Sequence, residues 1–99
     1  MIAIVDYGVG NLFSLKSSFA AIGVEAVVTN DEAVLRAADK IILPGVGAFG
    51  DAAKKLFETG LGEIVVSRAG AGVPLLGVCL GMQLLFEKSF EYGEHEGLA

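Results

Sequence analysis

The chain has no tryptophan, one cysteine, one histidine and two prolines in 99 residues. A single cysteine closes no internal disulfide, and a lone thiol fits a reducing cytoplasm, the expected location. One cysteine and one histidine do not build a closed zinc site, so no metal is expected, and no other cofactor. No uninterrupted apolar run reaches the roughly 18 residues that a membrane helix needs, so no membrane span is expected. Positive charge is scarce: seven Lys and Arg against twelve Asp and Glu leave a net charge of −5. With Lys54-Lys55 as the only adjacent basic pair, a nucleic-acid surface is not expected. Met1 to Asp6 has no basic stretch and meets an acid at position 6, so it reads as a strand rather than a signal peptide.

Hydrophobicity and glycine are what the chain has in quantity. Apolar residues make up 54% and charged residues 19%, which is too apolar for disorder and implies one small domain. Eleven of the 14 glycines cluster at 8/10, 45/47/50, 60/62, 70/72 and 77/81, marking turns between elements.

Ile2 to Val5, the valine-rich Glu25 to Thr29, Lys40 to Leu43 and the apolar run Leu75 to Val78 read as four strands. Helical spacing follows each. Leu12, Leu15, Phe19 and Ile22 mark a stripe capped by Asn11 and stopped by Gly23. Asn30 or Asp31 caps a short helix to about Ala37. Further helices are predicted over Asp51 to Glu58, Leu61 to Ala69 and Leu80 to about Lys88. The tail from Ser89 to Ala99 shows no periodicity. Alternating strands and helices predict an α/β fold with a parallel sheet. A flavodoxin-like three-layer arrangement with strand order 2-1-3-4 makes strands three and four neighbours, so Pro44–Gly47 and Cys79 meet at the sheet's C-terminal edge, where open parallel sheets do their chemistry.

Cys79 stands between an apolar strand and a helix, flanked symmetrically by Gly77 and Gly81. A nucleophile elbow needs this spacing, because small neighbours allow a tight reversal that holds the side chain clear of the backbone. A helix N-terminus also favours the thiolate. The plain alternative is a buried, inert thiol, and the glycine frame favours the nucleophile. Gly45-Val46-Gly47-Ala48-Phe49-Gly50 spells G-x-G-x-x-G, which raises a nucleotide-binding half-domain as one hypothesis. However, Pro44 interrupts the turn and the next strand ends in cysteine rather than an acid. A second use of those glycines is to aim backbone donors: the Val46 N–H, with the Leu80 N–H after the nucleophile, could hold an oxyanion. Gln83 lies at i+4 from Cys79, where it either faces the same cleft or is solvated. His95, between Glu94 and Glu96, reads as a solvated tail residue rather than as the base for Cys79.

Three stretches together, Ile4-Val5-Asp6-Tyr7-Gly8-Val9-Gly10-Asn11-Leu12, Leu43-Pro44-Gly45-Val46-Gly47-Ala48-Phe49 and Gly77-Val78-Cys79-Leu80-Gly81-Met82-Gln83-Leu84-Leu85-Phe86-Glu87, resemble the class I (triad) glutamine amidotransferases. Within that family they resemble the glutaminase subunits of imidazole glycerol phosphate synthase, across all 99 residues. The resemblance implies that residues 1–99 are the N-terminal half of an amidotransferase domain. Cys79 would attack the side-chain amide of glutamine, Val46 and Leu80 would form the oxyanion hole, and Gly47, Gln83 and Glu91 would hold the substrate. The ammonia would pass to a cyclase partner, a (β/α)8 barrel of histidine biosynthesis, with Asn11 and the Gly45–Gly47 loop near that interface. The family's triad histidine and glutamate lie in its second half, and His95 matches neither in position nor in context, so these 99 residues alone are expected to be inactive. The alternative is a non-catalytic module that binds a partner or dimerises through strand four.

Overall fold

The computed structural model describes residues 1–89 and 92–98. Side-chain alternation along short apolar strands sets the layering. In β1 (Ile2–Val5), Ala3 and Val5 enter one cluster and Ile4 the other, all fully buried. In β3 (Lys40–Leu43), Ile41 and Leu43 join Ala3 and Val5, whereas Ile42 joins Ile4. Strands buried on both faces need cover on both, and the intervening helices supply it.

One face carries α1 (Leu12–Ala21), which lays Leu12, Leu15 and Phe19 over Ile4, Ala26 and Ile42. The other face carries α2 (Glu32–Ala37), α3 (Phe49–Glu58), α4 (Leu61–Gly70) and α5 (Leu80–Leu84). Their buried side chains include Leu35, Phe49, Leu56, Val65 and Leu84. With β2 (Ala26–Thr29) and β4 (Leu75–Gly77) the strands form one parallel sheet in the order β2-β1-β3-β4. Ile2 pairs with Ala26 and Lys40, and Leu43 pairs with Gly77. This is the flavodoxin-like order expected, and it brings the loops after β3 and β4 side by side. No helix among the described residues is long and apolar enough to cross a membrane.

Local signals act as their chemistry predicts. The Asn11 side chain accepts from Ser14 N–H at 3.2 Å, and that of Asp31 from Ala33 N–H at 2.9 Å. Gly23 takes φ +78° just past α1. Several elements differ from expectation; β2 begins at Ala26 and α4 runs on to Gly70, each one residue off. Ile22 leaves the helical stripe: α1 stops at Ala21, and Ile22 turns outward, 72% exposed. Helix α3 starts two residues early, at Phe49. Strand β4 ends at Gly77, one residue short.

The largest difference is in the tail. Helix α5 ends at Leu84 instead of running to about Lys88 because the returning chain takes its carbonyls. Leu98 N–H donates to Leu84 O at 2.8 Å, and Gly97 N–H to Glu87 O at 2.9 Å. The tail, expected to lack regular structure, forms an antiparallel hairpin of β5 (Lys88–Ser89) and β6 (His95–Glu96). Two-residue strands are too short to show a period.

Candidate active site

The site is built where α5 crosses the end of β3. The crossing is so close that a Cβ on Gly81 would sit 1.9 Å from Leu43 O, and one on Gly77 2.6 Å from the Met82 Cα. Both flanking glycines of the elbow are therefore required by backbone against backbone. Between them Cys79 adopts φ 55° and ψ −123°, a region that L residues avoid at a cost of about 1–3 kcal/mol. Its side chain is exposed. Helix α5 has only five residues, so the dipole it offers the sulfur is that of little more than one turn.

The facing wall is the end of β3 with the segment that follows it, Leu43 to Gly45. Its three successive carbonyls are each held by a different donor. Leu43 O accepts from Val78 N–H at 2.9 Å, Pro44 O from the Tyr7 hydroxyl at 2.5 Å, and Gly45 O from Leu80 N–H at 3.2 Å. Tyr7 is 2% exposed, and burial pushes its phenol up to about 12, so it remains a donor. Gly45 also has no room for a side chain, since a Cβ would meet Gly81 N at 2.8 Å and the Tyr7 hydroxyl at 2.9 Å.

Between this wall and α1 lies a cleft of about 180 Å³, bordered by Asn11, Ser14, Leu15 and Ser18 on one side and by Pro44–Val46, Val78 and Cys79 on the other. Sites for drug-sized ligands run to about 300–1,000 Å³, so this one suits a side chain better than a dinucleotide. The G-x-G-x-x-G spelling has a packing explanation as well: Gly50 lies in α3 beneath the His95 ring, which a Cβ would meet at 2.7 Å.

The residues singled out from sequence fall into two groups. Cys79 and Val46 line the cleft, and the Leu80 amide lies beside it. Gly47 is exposed with φ +90°, and Gln83 is exposed on α5; neither borders the cleft. Glu91 lies outside the described residues. His95 packs on Gly50 rather than by the sulfur. The two expected oxyanion donors do not converge here: Leu80 N–H is engaged by Gly45 O, and in a trans peptide the Val46 N–H points opposite to that carbonyl. Sequence reasoning overlooked Tyr7. The available signal was the odd-numbered register Ala3, Val5, Tyr7, which continues inward past the end of β1.

A sequence model of the family described as glutamine amidotransferase class-I matches residues 3–93. The chain belongs to the class-I glutamine amidotransferase family. Among curated relatives, the imidazole glycerol phosphate synthase subunit HisH of Sulfurimonas denitrificans is 56% identical over 98 residues, covering 99% of this chain and 47% of the relative. The subunit of the same name from Aquifex aeolicus is 53% identical over 96 residues, covering 96% and 46%. A solved structure described as a glutamine amidotransferase superposes with a TM-score of 0.81 at 25% identity, covering all of this chain and 52% of that one. This amidotransferase chain thus spans about half the length of the curated relatives it matches.

Proposed function

We propose that the chain carries the nucleophile half of a glutaminase, the amidotransferase subunit of an imidazole glycerol phosphate synthase acting in cytoplasmic histidine biosynthesis. The observation that carries this is an exposed cysteine held at φ 55° in one cleft with the Pro44–Val46 backbone. The Cys79 sulfur, as thiolate, attacks the side-chain carbonyl carbon of glutamine, and the displaced electron pair collects on the oxygen. Collapse of this adduct expels the nitrogen, which leaves as ammonia after taking a proton. Water then cleaves the glutamyl thioester to glutamate and restores the sulfur.

The oxyanion needs donors. Turning over the Gly45–Val46 peptide would aim the Val46 N–H at it and, in the same motion, remove the carbonyl that occupies Leu80 N–H. Glycine at 45 permits the rotation at little steric cost. Gly47, Gln83 and Glu91 would hold the substrate's amino-acid end. The general base, worth about 10²–10⁴ in rate, would be the triad histidine with its glutamate, in the part of the relatives that this chain does not match. The ammonia would pass to a (β/α)8-barrel cyclase subunit docked near Asn11 and the Gly45–Gly47 loop.

The test is to mix the chain with the remaining half of the Sulfurimonas denitrificans subunit and its cyclase and to measure glutamate release. Activity that needs both halves and disappears in Cys79→Ala is expected. A soluble, associated pair without glutamate release, or turnover that survives Cys79→Ala, refutes the proposal. A second reading, a self-associating module, draws on Leu76, 54% exposed on edge strand β4, where it lines a groove together with Leu75, Ile41 and Phe19. Light scattering separates them: a stable dimer indifferent to the added half favours the module.

A further inference from the structure

A peptide that must turn over needs neighbours that do not. Of the three successive carbonyls from Leu43 to Gly45, only that of Gly45 has to move in the proposed chemistry, and its hydrogen bond is the longest of the three, 3.2 Å against 2.9 and 2.5 Å. The direction of the Pro44 carbonyl is set by two torsions. The proline ring fixes φ. Only ψ is left free, and the Tyr7 hydroxyl holds the carbonyl that ψ steers.

We propose that Tyr7 is a positioning residue, whose hydroxyl pins the Pro44 carbonyl as a fixed pivot so that rotation is confined to the Gly45–Val46 peptide. The proposal rests on the glutaminase reading and adds the hinge that the reading requires. Tyr7 is well placed for it. It leaves β1 on the buried face, 2% exposed, and its oxygen lies directly beneath Gly45, 2.9 Å from where a Cβ would stand. The same Cβ position is closed off from α5 by the Gly81 N at 2.8 Å and the Leu80 Cβ at 3.0 Å, so the hydroxyl sits tight against the start of that helix. On the other side of the pivot, Leu43 is held by the sheet through Val78. The segment is therefore rigid up to Pro44 and free to switch one residue later.

The test compares amide hydrogen exchange in the intact 99-residue chain and in Tyr7→Phe, which removes one oxygen. Without the pivot the Pro44–Gly45 peptide rotates too, and the bond from Leu80 N–H to Gly45 O loosens. Leu80 exchange is expected to rise about tenfold relative to Val78, the ratio of one unsatisfied buried carbonyl at the low end of its cost. General destabilisation would raise both amides together, and an unchanged ratio overturns the proposal. Should Tyr7→Phe not fold, 3-fluorotyrosine at position 7 keeps the shape and strengthens the donor. Leu80 exchange is then expected to slow relative to Val78, and no change overturns it. In the chain paired with the remaining half of the relative, Tyr7→Phe is expected to lower kcat about tenfold with KM for glutamine unchanged, the same energy expressed in rate. A rise in KM at constant kcat overturns the pivot. If the unsubstituted pair releases no glutamate, the glutaminase reading fails, and the exchange ratio still decides the role of Tyr7.

Discussion

Gly81→Ala tests whether the elbow is held by backbone contact. The added methyl would stand 1.9 Å from Leu43 O, 2.7 Å from Leu43 C and 3.0 Å from Pro44 C. All three are main-chain atoms of a strand end in which Leu43 and Pro44 are buried, so no flexible side chain can yield. Relief requires α5 to retreat from β3 by about 1.5 Å, since non-bonded heavy atoms come to rest at about 3.5 Å and closer approach is repulsive. That movement breaks the bond from Leu80 N–H to Gly45 O and stretches the one from Val78 N–H to Leu43 O beyond use. Each buried group left unpaired costs about 1–3 kcal/mol. The loss should therefore be about 3–5 kcal/mol, a large share of the roughly 5–15 kcal/mol that holds a small domain together. The control is Gly70→Ala. Gly70 ends α4 with nothing within 4 Å of a Cβ, and alanine there should stabilise by about 0.5 kcal/mol through helix propensity alone. Guanidinium unfolding followed by circular dichroism measures both. A Gly81→Ala chain that loses less than about 1 kcal/mol would refute the argument that this crossing is closed to any side chain.

The strain at the nucleophile is testable by itself: Cys79→Gly should be about 1 kcal/mol more stable than Cys79→Ala, because only glycine occupies φ 55°, ψ −123° freely. Urea unfolding giving the opposite order would remove strain from the account. Tyr7 makes stability depend on pH. Its folded value is raised from 10.0 to about 12, so its contribution is complete below pH 10 and is lost as pH climbs from 10 toward 12. Alkaline unfolding in that window should flatten in Tyr7→Phe, and an identical profile would show that the phenol is not its source. His95→Ala should leave the rate of Cys79 alkylation by iodoacetamide unchanged, because the ring lies on Gly50 and not in the cleft. A marked change in rate would place the imidazole beside the sulfur after all.

The sheet was legible because its strands carry their own cover instructions. Ile2–Val5 and Ile41–Leu43 are apolar at consecutive positions, as a strand buried on both faces requires. The intervening stripes then assign helices to those faces. What stayed hidden were features set by distant contacts. The end of α5 depends on Leu98 and Gly97 competing for the carbonyls of Leu84 and Glu87, and nothing within Leu80-Gly81-Met82-Gln83-Leu84 reports that competition. Gly97 itself gave no sign of its reason, although a Cβ there would meet Phe86 O at 2.3 Å.

The same distinction runs through the site. Residue type and spacing revealed the elbow, since glycines two positions on either side of Cys79 are a local demand of a tight turn. They could not reveal which way the Gly45–Val46 peptide points, because both orientations place identical atoms in the chain. Orientation is decided by partners from two other elements: Leu80 N–H at the start of α5 and, one residue upstream, the Tyr7 hydroxyl at the end of β1. Tyr7 was overlooked for a related reason. In a turn rich in glycine it looks like one more loop residue, yet two-residue alternation carries Ala3, Val5 and Tyr7 to the same buried face. The residue that holds the loop is thus the inward-facing continuation of a strand whose hydrogen bonding has already ended. A buried hydroxyl at that position must find an acceptor, and in the order β2-β1-β3-β4 the neighbouring strand end that supplies one is Pro44.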